Sequence, residues 1–172
     1  MFINLHLHSG YSHDSISKIK DIVSFVKKDG GNAVALTDHG NMSGCVEFYK
    51  ECKSNGIKPI IGQEFCWCAD TQIIKPDSVG YDYYPIVLIA KNNNGLHNLI
   101  KLSTISWTDH LIPDEKSPVP RIDNTLLSQY SDDLICLTGG EFGFLSLAIS
   151  KGFNNLAIQW LNKLKNIFES NL

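Results

Sequence analysis

A chain of 172 residues with 43% hydrophobic content is the size of one ordinary domain and can bury a real core. Its net charge of −3 excludes a sequence-wide basic field of the kind that holds nucleic acid by counterion release, so a phosphate substrate would need metal ions or a local patch. No apolar run is long enough to span a bilayer and no signal-peptide pattern opens the chain, so a cytoplasmic protein with no membrane partner is expected.

Asn4-Leu5-His6-Leu7-His8 reads as the first strand, with His6 and His8 on one face and Ile3, Leu5 and Leu7 turned toward a core. Two imidazoles that close can share one ion, although the pair alone fits the solvated face of an amphipathic strand better. A polar turn over 9–15 follows, then a helix capped by Ser17 and running to Asp29, with Ile19, Ile22, Val23 and Val26 as its apolar stripe. Ala33 to Thr37 reads as a buried strand that stops at Asp38-His39-Gly40. A helix from about Gly44 to Asn55 ends at Gly56, and Pro59 to Gly62 begins a third strand leading into Gln63-Glu64.

Asp70 to Tyr84 is an excursion before the strand Ile86 to Ala90, and Asn93-Asn94-Gly95 turns into a helix carrying Leu96, Leu99, Ile100 and Leu102. A long loop from Thr108 to Pro120, a helix near Asn124 to Tyr130 and a strand Leu134 to Thr138 come next. Two helices joined near Gly152 close the chain, the second with Leu156, Trp160, Leu161, Leu164 and Ile167 on one side. Strands alternating with helices imply an α/β fold with a parallel sheet. The five cysteines, an odd number without zinc-ribbon or disulfide spacing, are expected to be reduced, as buried small hydrophobes. Lys18, Lys20 and Arg121 read as scattered surface cations, and His97 and His110 as surface or loop residues.

Each of the first three strands ends in potential ligands: His6 and His8, then Asp38 and His39, then Glu64. In parallel α/β folds the carboxyl ends of the strands meet at one mouth, so these side chains are expected to converge there. Asp14, or failing it His13, can reach the same place from the loop after the first strand. His, Asp and Glu together suit two or three divalent ions working on phosphate esters.

The blocks His6-Leu7-His8-Ser9, Thr37-Asp38-His39-Gly40-Asn41 and Gly56-Ile57-Lys58-Pro59-Ile60-Ile61-Gly62-Gln63-Glu64, with Pro120-Arg121-Ile122-Asp123, resemble the polymerase and histidinol phosphatase (PHP) domain. More narrowly they resemble the PHP domain of the alpha subunit of bacterial replicative DNA polymerase III. The resemblance implies a single PHP domain over residues 1–172, built as a distorted (β/α)7 barrel of parallel strands with a metal site at their carboxyl ends. It carries over His6, His8, Asp14, His39 and Glu64 as metal ligands, with Asp38 and His39 as the catalytic pair and Asp38 orienting a ligand. Up to two divalent ions, zinc, manganese, iron or magnesium, would be the cofactor.

Three departures limit what the resemblance implies. Pro85 stands where the family usually has a histidine, Gly140 where it has a ligating cysteine, with Glu141 one position on, and the family's last Asp-x-His pair lies beyond Leu172. The barrel is therefore expected to be incomplete, lacking its last strands. The rest of a polymerase III alpha-like subunit, or a second copy, would complete it. Two functions follow: a metal-dependent phosphoesterase, a 3′ to 5′ exonuclease or proofreading activity on DNA or nucleotide phosphate esters, or a catalytically degenerate module that docks or supports a replicative polymerase. A small-molecule phosphatase is a third expectation, which the polymerase-type blocks disfavour.

Overall fold

Ile19, Ile22 and Val23 recur at helical spacing, and burying them makes Ile19–Lys28 the first helix, α1. The computed structural model describes residues 2–69, 77–112 and 118–172, which form two compact units, Met1–Glu64 and Phe65–Leu172. In the first unit α1 is followed by β1 (Ala33–Leu36), α2 (Cys45–Ser54) and β2 (Lys58–Trp67), which runs on into the second. β1 and the first half of β2 are parallel, Ala33 opposite Lys58 and Leu36 opposite Ile61. One face of this pair and the inner faces of α1 and α2 enclose Val23, Val34, Leu36, Phe48, Cys52 and Ile57. Side chains such as Phe48, fully buried, each contribute about 1.5–3 kcal/mol. Gly56, at φ +70°, takes the left-handed turn that stops α2 and aims the chain into β2.

The opening segment departs from the expected strand. Residues 4–8 lie along β1 through Ala35 N–H to Asn4 O and Thr37 N–H to Leu7 O, but the backbone bends at Leu5 and His6, where the Asn4 side chain accepts from His6 N–H. Only Leu7 packs on the core; Ile3 and Leu5 are each 39% exposed. The local side-chain bond at Asn4 competes with regular pairing and breaks the alternation. Ser17 does not cap α1 either: Lys18 occupies that position without a side-chain bond, while Ser17 O accepts Gly10 N–H and closes the loop between them.

The second unit holds β3 (Tyr84–Ala90), α3 (Asn93–Thr108), β4 (Leu111–Ile112), β5 (Val119–Ile122), α4 (Asn124–Tyr130), β6 (Leu134–Leu137), α5 (Phe144–Ser150) and α6 (Asn154–Phe168). The end of β2 pairs in parallel with β5, Cys66 opposite Arg121. β3 and β6 are antiparallel, Leu88 opposite Cys136, as are β4 and β5. The sheet therefore contains parallel pairs, as an incomplete α/β barrel requires, but is mixed. A short return such as β4 to β5 needs no crossover helix and so runs antiparallel.

Residues 70–76 of the expected excursion and 113–117 of the expected second loop lie outside the described residues. The Asn93-Asn94-Gly95 turn is instead the first turn of α3, because Asn92 caps it by accepting from Asn94 N–H and Gly95 N–H. Trp67, Tyr84, Phe144 and Trp160 pack edge to face in the core, and α6 buries Ala157, Trp160, Leu164 and Phe168, so Trp160 and Leu164 of the expected stripe face the core while Leu156, Leu161 and Ile167 are half-buried. Arg121 is not a surface cation: it is 2% exposed, with Nη2 donating to Asp82 Oδ2 at 2.6 Å and its guanidinium over the Tyr83 ring. None of the five cysteines forms a disulfide, and four of them are buried. No helix among the described residues is long and apolar enough to cross a membrane.

Candidate metal centre

The parallel register set by Leu36 and Ile61 continues three residues further to a bridge between His39 and Glu64, sealed by Gly40 N–H to Glu64 O at 2.8 Å and Glu64 N–H to Asp38 O at 3.1 Å. Glu64 becomes the hub of the centre. His39 Nδ1–H donates to its Oε1 at 2.6 Å and His6 Nε2–H to its Oε2 at 2.6 Å, while His8 Nε2 lies 3.7 Å from the same Oε2. The bend at Leu5-His6 does not separate the two imidazoles: their centroids are 5.2 Å apart. Among the described residues, the ligand atoms of His6, His8 and Glu64 form the one group that could hold a metal ion, all within 4.8 Å of one another.

Asp14 and Asp38 have different neighbours. Asp14 accepts His8 Nδ1–H at 3.0 and 3.1 Å, on the ring edge opposite Nε2. Asp38, 1% exposed, accepts Ser9 N–H at 2.6 Å, Ser9 Oγ–H at 2.9 Å and Ser12 Oγ–H at 3.3 Å, and so is bound to the loop after the histidines. The alternative to Asp14, His13, has its ring 4.8 Å from that of His39. In the second unit, Pro85 lies on β3 and its carbonyl is approached so closely by Gly139 that no Cβ would fit there; Gly140 sits at φ +64° and Glu141 is exposed.

The charges support one another. Burial pushes the Glu64 carboxyl up, but bonds from His39 and His6 and the ring of His8 outweigh it and hold it well below the usual carboxylate range. Glu64 likewise raises His8 above the ordinary histidine value, with burial opposing and Asp14 adding to the effect. His8 Nε2 is nevertheless a buried nitrogen with no hydrogen-bond partner. With Nδ1–H committed to Asp14, Nε2 points at a carboxylate oxygen 3.7 Å away, too far for a hydrogen bond, and the space between them suits a proton on the ring or a metal cation that displaces it. A ring nitrogen bare on one edge, a carboxylate fixing the other and a second imidazole nearby fit a divalent ion.

Sequence reasoning gave no role to Ser9, Ser12 and Thr37, all buried: the Ser9 hydroxyl serves the Asp38 charge, while Ser12 and Thr37 join separate segments of the centre. Thr37 Oγ1 accepts Leu7 N–H at 2.9 Å and donates to Leu7 O at 3.1 Å, fixing the histidine segment to the end of β1. The available signal was weak: small hydroxyl residues next to His8, Asp14 and Asp38.

The PHP domain family matches residues 4–172. The chain is 40% identical over 168 residues to the DNA polymerase III subunit alpha of Borreliella burgdorferi, and 36% identical over 178 residues to that of Aquifex aeolicus. It covers 95% and 99% of its own length in these matches but only 14% and 15% of theirs, so it spans about one seventh of the curated relatives. Among solved structures, a two-domain protein of Bacteroides vulgatus described as containing a predicted PHP-like metal-dependent phosphoesterase aligns with TM-score 0.46 at 16% identity, over 94% of this chain and 48% of that one. With the sequence match running nearly end to end, the chain belongs to the PHP domain family.

Proposed function

We propose that this chain is the PHP part of a DNA polymerase III alpha-like replication protein, working in the cytoplasm, and that its centre is a metal-dependent phosphoesterase acting as a 3′ to 5′ exonuclease on DNA. The rest of that subunit, or a second copy, is the partner in this reading, and 1–172 serves as one PHP domain. The observation that carries it is His8 Nε2, buried without a hydrogen-bond partner 3.7 Å from Glu64 Oε2 while Asp14 holds the other edge of the ring.

His6, His8, Asp14, His39 and Glu64 are the residues for up to two divalent ions, zinc, manganese, iron or magnesium. Such an ion supplies Lewis acidity toward a phosphoryl oxygen and an activated water at neutral pH. Glu64 orients the imidazoles of His6 and His39, and Asp14 fixes the His8 ring. His39 is assigned the proton-handling role, and Asp38 holds the 9–12 loop against the centre. The test is release of nucleotides from a 5′-labelled single strand with manganese or zinc, wild type against His8→Ala. A loss of at least about 100-fold is expected, and indistinguishable rates would contradict the reading.

A second reading rests on Pro85 and Gly140, neither of which offers a side-chain ligand. A centre supplied by residues 6–64 alone holds fewer ions less tightly and suits a supporting module of a polymerase. Elemental analysis separates the two: two bound ions per chain count against the module, and none counts against catalysis.

A further inference from the structure

Asp38 is a buried carboxylate whose described bonds go to Ser9 and Ser12, both short hydroxyl residues of the loop that follows His8. Satisfying a buried charge is reason enough for such residues, and Ser9 does little else: its Oγ also accepts Tyr11 N–H at 3.2 Å. Ser12 differs. Its hydroxyl, 3.3 Å from Asp38 Oδ1, also accepts His39 N–H at 2.7 Å, so one oxygen joins the loop carrying Asp14 to the turn carrying His39. Asp14 lies two residues beyond Ser12 and holds His8, while His39 holds Glu64.

The direction of these bonds matters. Asp38 can only accept, which commits the Ser12 proton to it and leaves the Ser12 lone pairs for the His39 amide. Reading outward, Asp38 orients Ser12, Ser12 fixes the backbone at His39, and His39 Nδ1–H sets one oxygen of Glu64. Asp38 and Ser12 thereby stand behind both imidazole-bearing edges of the centre without belonging to the group that could hold an ion.

Building on the metal-centre reading above, we propose that Ser12 is a positioning residue of that centre, coupling the Asp14 loop to the His39 turn so that His8 and Glu64 are held ready for the ion. Removing its hydroxyl leaves His39 N–H without that acceptor and Asp38 with one donor fewer, and lets the two loops move independently.

The test uses the full chain and two readouts. In the metal-free protein, hydrogen exchange at the His39 amide is protected in wild type and speeds at least about tenfold in Ser12→Ala, while Ser9→Ala leaves it within about threefold. In a titration with cobalt alone, followed by its visible absorption, Ser12→Ala binds about 10–100-fold more weakly than wild type, and Ser12→Thr, which keeps the hydroxyl, returns to within about threefold. Should Ser12→Ala fail to fold, Ser12→Cys, whose thiol is a weak acceptor, takes its place with the same expectation. Unchanged cobalt affinity in Ser12→Ala, or an equal loss in Ser9→Ala, overturns the assignment to Ser12 while leaving the metal centre standing. A wild-type chain that binds no cobalt overturns the metal-centre reading itself, and this proposal with it.

Discussion

Glu64 concentrates the chemistry of the first unit on one carboxylate. It is buried, yet ionised against the cost of burial because imidazole N–H groups reach both of its oxygens. Glu64→Gln keeps the shape and removes the charge, so zinc affinity is expected to fall at least about 100-fold by equilibrium dialysis. A variant that binds as tightly as wild type would place the ion elsewhere. The thiols behave oppositely. Burial pushes Cys45 and Cys136 up to about 12 and Cys52 to about 11, from an ordinary value near 9, so all three are protonated at neutral pH. Their folded values lie above the unfolded one, so the associated stability is intact below about pH 9 and is lost as pH rises through 11 to 12. Slow labelling by a thiol reagent at pH 8, and a melting temperature that drops between pH 9 and pH 11, are the expected results. Rapid labelling of all five thiols in the folded chain would contradict them.

At the scale of elements, a tight backbone constraint lies just after β6. Gly139 adopts φ +81° against the Pro85 carbonyl, so Gly139→Ala meets both backbone strain and a direct clash. A loss of about 2–4 kcal/mol is expected in urea unfolding, and a change under about 0.5 kcal/mol would mean that this turn tolerates rearrangement. Asp123→Ala, which removes the acceptor for Leu126 N–H at the start of α4, is expected to cost about 1 kcal/mol by the same measurement. Elements whose signals are local were legible in the sequence. β1 is four consecutive apolar residues, α2 is bracketed by Gly44 and Gly56, and α4 starts at its capping aspartate. What escaped depends on distant partners. The bend at Leu5-His6 answers to Asn4 and Thr37, and the antiparallel pairing of β3 with β6 joins residues more than forty positions apart. Arg121 looked like a surface cation because Asp82, its partner, lies far off in the sequence. For the centre, residue types and strand-end positions are readable, but not which groups touch: Asp14 meets His8 on its far edge, and nothing local marks Ser12 as the bridge to the His39 amide.

Across the whole chain, the residues carried over as ligands all come from Met1–Glu64, while Pro85 and Gly140 belong to Phe65–Leu172. An ion bound to the first unit stabilises the folded state by mass action, about 2.7 kcal/mol at a hundredfold excess over its dissociation constant. Added zinc should therefore raise the melting temperature of wild type and leave that of His8→Ala unchanged; equal shifts in both would point to binding away from His8. The most direct measurement is metal content after dialysis against zinc or manganese, followed by elemental analysis of wild type and His8→Ala side by side. The His8 and Glu64 centre should hold about one to two ions per wild-type chain and less than about 0.2 in the variant. A wild-type chain that retains none, or a variant that retains as many, would contradict it.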